Sequence, residues 1–365
     1  MDGAVKIVLL EGDQTGQELL RDAIRVIDPE VVGVPFVFDR FDLSLDNRRR
    51  TKNGVVREAA DALRDARYGI KAATTTPEGA SDVGSPNALL REWIDATVIL
   101  RTGRRIPGVR PVAGVVAPIA VVRMGVGDAY NAREWREGVG DDEVAYRTTA
   151  VTRRHCRAVA EFSFRHARQL GAKVFGGPKY TVSPVYEGLL KEEVDAAAAR
   201  HPEIAYDPQL IDAVYALLLQ STGEALVIPA LNRDGDTLSD FVLQMFGSIA
   251  GAESVILSFD KEHNPMVVLA EAPHGTAPKL FGKNLANPMA MILACAAVTS
   301  YLPQAAASSV SRAIYESTFE AVQGGVRTLD LGGDATTTEF TDEVIRRLRL
   351  KLDVWRSLGR TSPTS

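Results

Sequence analysis

The stretch Val5-Lys6-Ile7-Val8-Leu9-Leu10-Glu11-Gly12-Asp13 sets the pattern of the whole fold. Its apolar beginning is strand-like, its Gly-Asp end is a turn, and the spacing of apolar residues over 18–26 is helical. A strand that leads through a turn into a helix is typical of the βα units from which α/β proteins are built. The first 26 residues therefore predict an α/β architecture.

The same alternation continues along the chain. Helical patterns cover 55–66, 88–94, 152–170, 210–220, 237–246 and 341–355, and strand-like runs cover 68–73, 96–100, 119–123, 173–175 and 225–228. Such alternation predicts an α/β protein with a largely parallel sheet. Two turn-rich stretches, 101–118 and 131–146, look inserted, and either of them could cross between domains or form an arm.

Composition excludes several classes of protein. At roughly 100–200 residues per domain, the 365 residues predict about two domains, and the net charge of −5 argues against non-specific nucleic-acid binding. Cys156 and Cys295 lack a CxxC partner, which predicts buried free thiols in a reducing compartment. The apolar stretch 289–298 is about half as long as a membrane span requires. We expect a soluble cytoplasmic protein without membrane or nucleic-acid partners.

Three aspartates are candidate metal ligands. Asp236 and Asp240 are four residues apart in a helical run, so their carboxylates share one face and could bind Mg²⁺ or Mn²⁺. Favourable acids in the first turn of a helix are the alternative. Asp212 is the only charge in the Leu-rich run 210–220, where a carboxylate is costly unless it is paired or binds a metal. An exposed helix edge would explain Asp212 equally well.

A set of arginines offers binding groups for an acidic substrate. Guanidinium groups of Arg91, Arg101 and Arg123 could grip carboxylates bidentately. Ser85 and Asn87, just before Arg91, could add a hydroxyl and an amide to that site. Solvated surface arginines are the alternative interpretation.

The stretch Glu271-Ala-Pro-His-Gly-Thr-Ala-Pro-Lys279 predicts a rigid loop whose backbone can approach a nucleotide closely, although an ordinary turn has the same composition. No GxGxxG follows a strand, and no Walker motif is present. Tyr130 and Lys179 are candidates for proton transfer, because a buried lysine can lose its proton near neutral pH and a tyrosine can relay one.

Together and in this order, these stretches resemble the isocitrate/isopropylmalate dehydrogenase family of β-decarboxylating dehydrogenases, over about residues 6–348. The stretches that carry the resemblance are Gly12-Asp-Gln-Thr-Gly-Gln-Glu18, Thr74-Thr-Thr-Pro77, Ser85-Pro-Asn-Ala-Leu-Leu-Arg91, Arg101, Arg123 with Tyr130 seven residues later, Lys179, Asn232-Arg-Asp-Gly-Asp-Thr-Leu-Ser-Asp240, His274-Gly-Thr-Ala-Pro278 and Leu331-Gly-Gly-Asp-Ala-Thr-Thr-Thr-Glu-Phe340.

The resemblance implies a two-domain α/β fold of the isocitrate/isopropylmalate dehydrogenase type rather than a GxGxxG Rossmann fold. The large domain would comprise 1–97 and 247–365, and the small domain, with a dimer-forming arm, 98–246. It further implies a homodimer with shared active sites, in which Lys179 and Asp212 come from the partner chain.

The resemblance also implies a reaction, namely metal-dependent oxidative decarboxylation of an isocitrate-like 2-hydroxy acid with NAD⁺ or NADP⁺, giving a 2-oxo acid and CO₂. The implied roles are catalysis for Tyr130 and Lys179; substrate binding for Ser85, Asn87, Arg91, Arg101 and Arg123; Mg²⁺ or Mn²⁺ binding for Asp212, Asp236 and Asp240; and cofactor binding for Thr76, Glu271, His274, Gly275, Thr276, Ala277, Lys279 and Asn287.

Some positions depart from the family. Residues 124–127 read Met-Gly-Val-Gly where Glu-Asn-Thr/Ser-Glu is usual, and Thr181 replaces an Asn. These departures imply a changed substrate or nicotinamide contact. Ser85 and Asn87 are polar where isopropylmalate enzymes are apolar, which favours an anionic third arm on the substrate. A phosphonate-bearing isocitrate analogue, homoisocitrate, tartrate and isopropylmalate remain alternatives, and a non-catalytic regulatory subunit is a less favoured one.

The choice of nucleotide depends on the residues after the His-Gly-x-Ala-Pro motif. NADP users of the isocitrate type carry Lys-Tyr there and NAD users carry Asp, whereas this chain has Lys279-Leu280. A cation suits a 2′-phosphate and cannot accept a hydrogen bond from a ribose diol. Ala286 and residues 327–333 resemble the NAD branch instead, so the sequence favours NADP only slightly.

Overall fold

The computed structural model describes residues 4–78, 82–220 and 223–358. The strands are β1 (Val5–Glu11), β2 (Phe36–Asp42), β3 (Tyr68–Lys71), β4 (Val98–Gly103), β5 (Ile119–Met124), β6 (Asp128–Glu137), β7 (Val144–Ala150), β8 (Lys173–Phe175), β9 (Tyr206–Asp207), β10 (Leu226–Ala230), β11 (Ser254–Phe259) and β12 (Pro265–Glu271). The helices are α1 (Gln14–Val26), α2 (Pro29–Val32), α3 (Leu45–Thr51), α4 (Gly54–Ala66), α5 (Pro86–Trp93), α6 (Arg153–Leu170), α7 (Tyr186–Arg200), α8 (Ile211–Leu218), α9 (Asn232–Met245), α10 (Met289–Ser300), α11 (Ala305–Gln323) and α12 (Thr337–Ser357).

A ten-stranded sheet in the order β2-β1-β3-β12-β11-β4-β5-β10-β8-β9 forms the centre of the molecule. Its outer pairs are parallel, but β12–β11, β11–β4 and β4–β5 are antiparallel. The α/β prediction is confirmed, and the sheet is largely parallel, as expected, apart from these three antiparallel pairs in its middle. No α-helix lies between β4 and β5 or between β11 and β12, and antiparallel strands, unlike parallel ones, need no helical crossover to connect them.

The predicted domain boundaries fall within this one sheet. Segments 1–97 and 247–365 supply β1, β2, β3, β11 and β12, and segment 98–246 supplies β4, β5, β8, β9 and β10. The two sets meet where β11 pairs with β4, from Ser254 opposite Arg101 to Leu257 opposite Val98. The division into two domains stays a prediction, and the junction between its halves is a continuous ladder of strands.

Helices cover both faces of the sheet, which explains why β1 is apolar at nearly every position. Ile7 and Leu9 belong to one buried cluster, which includes helices α1 and α10, and Val8 and Leu10 belong to another, formed with α4 and α5. The apolar stretch 289–298 lies in α10, a core helix. Over the residues that the structure describes, no helix is both long and apolar enough to cross a membrane. The buried Cys156 and Cys295 are free thiols, as predicted.

Helix α9 carries part of the candidate site and packs against β4 and β5. Leu238 and Val242 of α9 lie in a buried cluster with Val121 of β5. The approach is close because Gly235 has no side chain; a Cβ there would lie 2.6 Å from the Cβ of Arg123. Helix α9 therefore lies close enough to the sheet for side chains of its next turn to contact Arg101 and Arg123.

The stretch 131–146 forms most of a two-stranded ribbon, in which β6 pairs antiparallel with β7. Trp135 and Tyr146 stack across it with ring centroids 5.0 Å apart, and Val139 near its tip is 85% exposed. The segment is thus an arm that leaves the body of the chain, one of the two possibilities that the sequence allowed.

Candidate active site

The three arginines singled out in the sequence are buried close together. Arg91 and Arg101 are each 8% exposed and Arg123 is 3% exposed, so the surface interpretation of these residues was wrong. Arg101 pairs with Val121 and Arg123 pairs with Ile99 in the β4–β5 ladder, which puts both arginines on the same face of the sheet. Such a concentration of buried positive charge requires negative partners.

Helix α9 supplies two of those partners. Arg123 Nη1 donates to the Asp236 carboxylate, and Arg101 Nη1 lies 2.8 Å from Asp240 Oδ1 and 3.0 Å from Ser239 Oγ. Burial raises the pKa of Asp240, and the nearby Asp236 adds to this while Arg101 opposes it. Two carboxylates one turn apart are hard oxygen donors of the kind that Mg²⁺ and Mn²⁺ prefer, so this pair fits a divalent cation.

Tyr130 joins the arginines to this helix. Its hydroxyl donates to Asp236, and its ring contacts the guanidinium groups of Arg91 and Arg123, whose Cζ atoms lie 5.4 and 5.0 Å from the ring centroid. Burial, reinforced by the hydrogen bond to Asp236, raises the pKa of Tyr130 above its ordinary value of 10.0. Tyr130 therefore keeps its proton at neutral pH and can act as a proton donor.

Lys179 and Asp212 pair with each other in the same chain. The Asp212 side chain is 60% exposed, and its bond from Lys179 lowers its pKa. Within the described part of the chain, no three His, Cys, Asp or Glu side chains are placed to hold a metal together. One chain thus offers Asp236 and Asp240 as ligands, and Asp212 occupies the exposed helix edge that the sequence left open.

Ser85 and Asn87 lie at the start of α5, one turn before Arg91. Ser85 takes the N-cap position, but its hydroxyl makes no capping hydrogen bond among the described residues. The Asn87 side chain accepts a hydrogen bond of 3.4 Å from Thr74 Oγ1. The predicted substrate stretch and the Thr-Thr-Pro stretch are therefore neighbours, and Thr76 is exposed.

Glu271 ends β12 beside the end of β3, where it pairs with Lys71 at 2.9 Å. Burial alone would raise the pKa of Glu271, but Lys71, helped by Arg101 and Arg91, outweighs it and holds the pKa below its ordinary value. Glu271 is thus an ionised carboxylate that extends the charge network of the arginines toward the predicted nucleotide loop.

The nucleotide loop follows Glu271. Burial lowers the pKa of His274, so the imidazole is neutral at pH 7; its Nδ1 lies 3.1 Å from the Gly275 carbonyl oxygen, and its Nε2 has no hydrogen-bond partner among the described residues. Gly275 faces open space and Lys279 is exposed. An unpaired ring nitrogen, an open backbone and a cation fit a bound dinucleotide.

The rest of this loop is anchored to the body of the molecule. Thr15 Oγ1 donates to the carbonyl of Ala277 at 2.9 Å, and Thr276 lies between Gly275 and that anchor. Asn287 Nδ2 donates to Asp330 at 3.0 Å, and Asn287 Oδ1 accepts from Met289 N. The side chain of Asn287 therefore supports the loop, and the cofactor-binding role predicted for it stays a prediction.

The sequence analysis missed several residues that organise the site. Asn232 accepts from Arg123 Nε at 2.9 Å, Ser239 accepts from Arg101, Lys71 pairs with Glu271, and Asp330 holds Asn287. Two of them, Asn232 and Ser239, lie within the quoted motif 232–240. Lys71, a lone cation in a predicted strand, carried a signal as well, whereas nothing local marked Asp330.

The stretch that departs from the family offers no polar side chain to the site. Met124 is fully buried, and Gly125 N donates to the Thr97 carbonyl at 2.7 Å. A cavity of about 410 Å³ opens beside this stretch, with Arg91 and Tyr130 in its wall. The second departure, Thr181, is exposed.

Comparison with known proteins finds the family named in the sequence analysis over nearly the whole chain. The family model described as isocitrate/isopropylmalate dehydrogenase matches residues 6–344. Isocitrate dehydrogenase (NADP) of Thermus thermophilus is 29% identical over 95% of this chain and 68% of its own length, and 3-isopropylmalate dehydrogenase of Methanothermobacter thermautotrophicus is 29% identical over 94% and 99%. The crystal structure of isocitrate dehydrogenase from Methylococcus capsulatus is similar with a TM-score of 0.83, at 25% identity over 94% of this chain and 99% of that one.

Proposed function

The chain belongs to the isocitrate/isopropylmalate dehydrogenase family, and we propose that it catalyses the oxidative decarboxylation of an isocitrate-like 2-hydroxy acid with NAD⁺ or NADP⁺. The family consists of metal-dependent β-decarboxylating dehydrogenases. The observation that carries the proposal is that three buried arginines face two carboxylates and a protonated tyrosine.

The arginines give the site its preference for acids. Planar guanidinium groups donate two parallel hydrogen bonds to a carboxylate, and burial strengthens these bonds because water does not compete. Burial lowers the pKa of Arg123 to about 10, and Asp236 partly compensates. Arg123 is still protonated at pH 7, and a substrate carboxylate supplies the further negative charge that this cluster favours.

Asp236 and Asp240 hold the divalent cation in this proposal, and the third ligand, Asp212, comes from a second copy of the chain. Bound there, Mg²⁺ or Mn²⁺ supplies positive charge that favours ionisation of the substrate 2-hydroxyl and the loss of CO₂. The chain itself contributes the arginines, which orient the carboxylates; Arg101 and Arg123 also donate hydrogen bonds to Asp240 and Asp236.

Two residues move protons in the proposed reaction. Lys179, also from the second copy, would accept the proton of the 2-hydroxyl, and a bound nicotinamide would supply the acceptor for the hydride of C2. After CO₂ has left, Tyr130 donates its proton to the substrate carbon atom that had carried the departed carboxylate. The hydrogen bond from Tyr130 to Asp236 fixes the direction in which that proton is held.

A homodimer follows from this arrangement, because each site would need residues of two chains. Apolar side chains exposed in the single chain support such an assembly. Val139 and Val144 lie on the arm, and Leu217 and Leu219 lie at the end of the helix that carries Asp212. Contact between two copies would cover this surface.

The proposed substrate has a third arm that is anionic. The Ser85 hydroxyl and the Asn87 amide precede Arg91 at the start of the same helix, and an alkyl arm would offer neither of them a hydrogen-bond partner. Isocitrate is the first choice, and a phosphonate-bearing analogue is the second, because a phosphonate, like a carboxylate, accepts hydrogen bonds from hydroxyl, amide and guanidinium donors. Exposed Lys279 slightly favours NADP⁺ over NAD⁺.

The deciding experiment is a panel of malate-type acids assayed with Mn²⁺ and either nucleotide, with nucleotide reduction and CO₂ release measured together. We expect stoichiometric formation of both products from an acid with an anionic arm. No turnover with any member of the panel, by a folded protein that contains Mn²⁺, would contradict the proposal and support a regulatory subunit instead.

A further inference from the structure

Helix α3 (Leu45–Thr51) carries a buried arginine that the proposed chemistry does not use. Arg48 is 0% exposed. Its Nε donates to the Leu43 carbonyl at 2.9 Å, its Nη1 donates to the Gly84 carbonyl at 3.2 Å, and its Nη2 donates to the Thr75 carbonyl. A fully buried guanidinium that meets main-chain oxygens in three places is held for its geometry, since burying the charge is costly.

Two of the three carbonyls that Arg48 holds, those of Thr75 and Gly84, each stand directly before a residue of the candidate site. Thr75 directly precedes Thr76, which was predicted to contact the cofactor, and Gly84 directly precedes Ser85, which was predicted to contact the third arm of the substrate. Gly84 has φ of +68°, a conformation that glycine adopts without strain and that fixes the direction of its carbonyl. One side chain therefore fixes the backbone directly before Thr76 and directly before Ser85.

Neighbouring groups reinforce this clamp. Asp13 accepts from Thr75 N at 2.7 Å and from Leu45 N at 2.9 Å, so it ties the backbone at Thr75 to the start of α3. Asn53 Nδ2 donates to the Val83 carbonyl at 2.7 Å. Burial lowers the pKa of Arg48, and the charges of Asp13 and Asp82 partly offset this. These contacts mark the clamp as a built feature of the fold.

We propose that Arg48 is a positioning residue that couples the subsite for the third arm at Ser85 to the cofactor side of the site at Thr76. This proposal rests on the proposed function. Arginine suits the task because its planar fork directs separate N–H groups at both carbonyls, whereas the compact ammonium of lysine cannot span them. Loss of the fork releases both carbonyls at once, so both ligands bind less well.

Three consecutive arginines on α3 provide a matched experiment. Arg48 is buried, Arg49 pairs with Asp82 at the surface, and Arg50 is exposed and donates to Asn47. In Arg48→Lys we expect KM for the acid and for the nucleotide to rise together, on the order of ten-fold, because buried hydrogen bonds from a charged donor are lost. We expect kcat to change less. Arg50→Lys should leave both KM values unchanged.

Hydrogen exchange of peptides covering 82–91 reports on the segment without turnover. Faster exchange there in Arg48→Lys, and not in Arg50→Lys, supports the clamp even if the unmodified chain has no dehydrogenase activity, a result that would contradict the proposed function alone. If Arg48→Lys does not fold, Asn53→Asp, which cannot donate to the Val83 carbonyl, should raise both KM values and accelerate exchange to a smaller degree. Unchanged exchange in a folded Arg48→Lys overturns the proposal, as does a rise in only one KM.

Discussion

Tyr130 donates its hydroxyl hydrogen to the carboxylate of Asp236, which also accepts a hydrogen bond from Arg123. This carboxylate therefore links three elements: the arm strand that carries Tyr130, the sheet strand that carries Arg123, and helix α9. It holds the phenol protonated at a defined place, and the pH dependence of turnover should reflect that.

Turnover should not depend on ionisation of Tyr130 below about pH 10. Burial and the bond to Asp236 raise the pKa of Tyr130 above 10.0, so its protonated form persists as pH rises through 10.0. Tyr130→Phe should lower kcat, but any alkaline decline with a midpoint below 10.0 should keep that midpoint. The measurement is kcat against pH for both proteins; disappearance of the decline in the variant would identify Tyr130 as the ionising group and refute this prediction.

Asp240→Asn should remove most of the turnover and leave the fold intact. The Asp240 side chain is 55% exposed, so the substitution costs little packing, but an amide is a weaker ligand than a carboxylate. We expect a loss greater than the roughly 10–100-fold seen when an outer hydrogen-bond partner of a metal ligand is removed. Turnover at a range of Mn²⁺ concentrations and the thermal midpoint test this. Asp353→Asn, on an exposed face of α12, is the control; full activity of Asp240→Asn, or of the unmodified protein in excess EDTA, contradicts the metal site.

Mixing two inactive variants should restore activity. Lys179→Met removes the proposed base, and Arg91→Ala removes a substrate contact. If Lys179 serves the partner's site, a heterodimer contains one site with both residues intact. We expect each variant alone to be inactive and the mixture, after subunit exchange, to regain part of the activity. A fully active monomer in sedimentation-checked assays would exclude shared sites.

Lys279→Asp should shift the nucleotide preference toward NAD⁺. Lys279 is exposed and cationic, which suits a 2′-phosphate, whereas an aspartate repels the phosphate and accepts hydrogen bonds from the ribose diol. The comparison is kcat/KM for both nucleotides in both proteins. A strong NAD⁺ preference in the unmodified protein would mean that residues outside this position decide the choice.

Ser85→Ala combined with Asn87→Leu should weaken binding of an acid with an anionic arm and relatively favour an alkyl arm. Polar groups left unpaired by an alkyl arm cost about 1–3 kcal/mol each, and the double variant removes that penalty. The ratio of kcat/KM for isocitrate to that for isopropylmalate measures the change. Preference of the unmodified protein for isopropylmalate over every anionic-arm acid would refute this interpretation of the subsite.

Much of the secondary structure was readable from periodicity. The predicted helix 55–66 is α4 within one residue, and the predicted strand 173–175 is β8. The helix predicted at 237–246 begins earlier, at Asn232, because Asn232, Asp234 and Gly235 hide its first turn from a pattern of apolar residues. Gly235 does not interrupt the helix; its missing side chain allows the helix to approach Arg123 closely.

What the sequence determined by itself was the type of each chemical group and its position along the chain: paired aspartates on one helix, arginines that follow Ser85 and Asn87, and a rigid loop at 271–279. What only the tertiary structure decided was which groups meet. Lys71 reaches Glu271 because β3 and β12 are neighbours in the sheet, and Arg101 shares a face with Arg123 because β4 and β5 run antiparallel in one register. Periodicity is a local property of the chain, but the order, direction and register of strands depend on the packing of the whole sheet. The same separation applies to Arg48, an inconspicuous residue in the sequence that the fold places between the two ends of the candidate site.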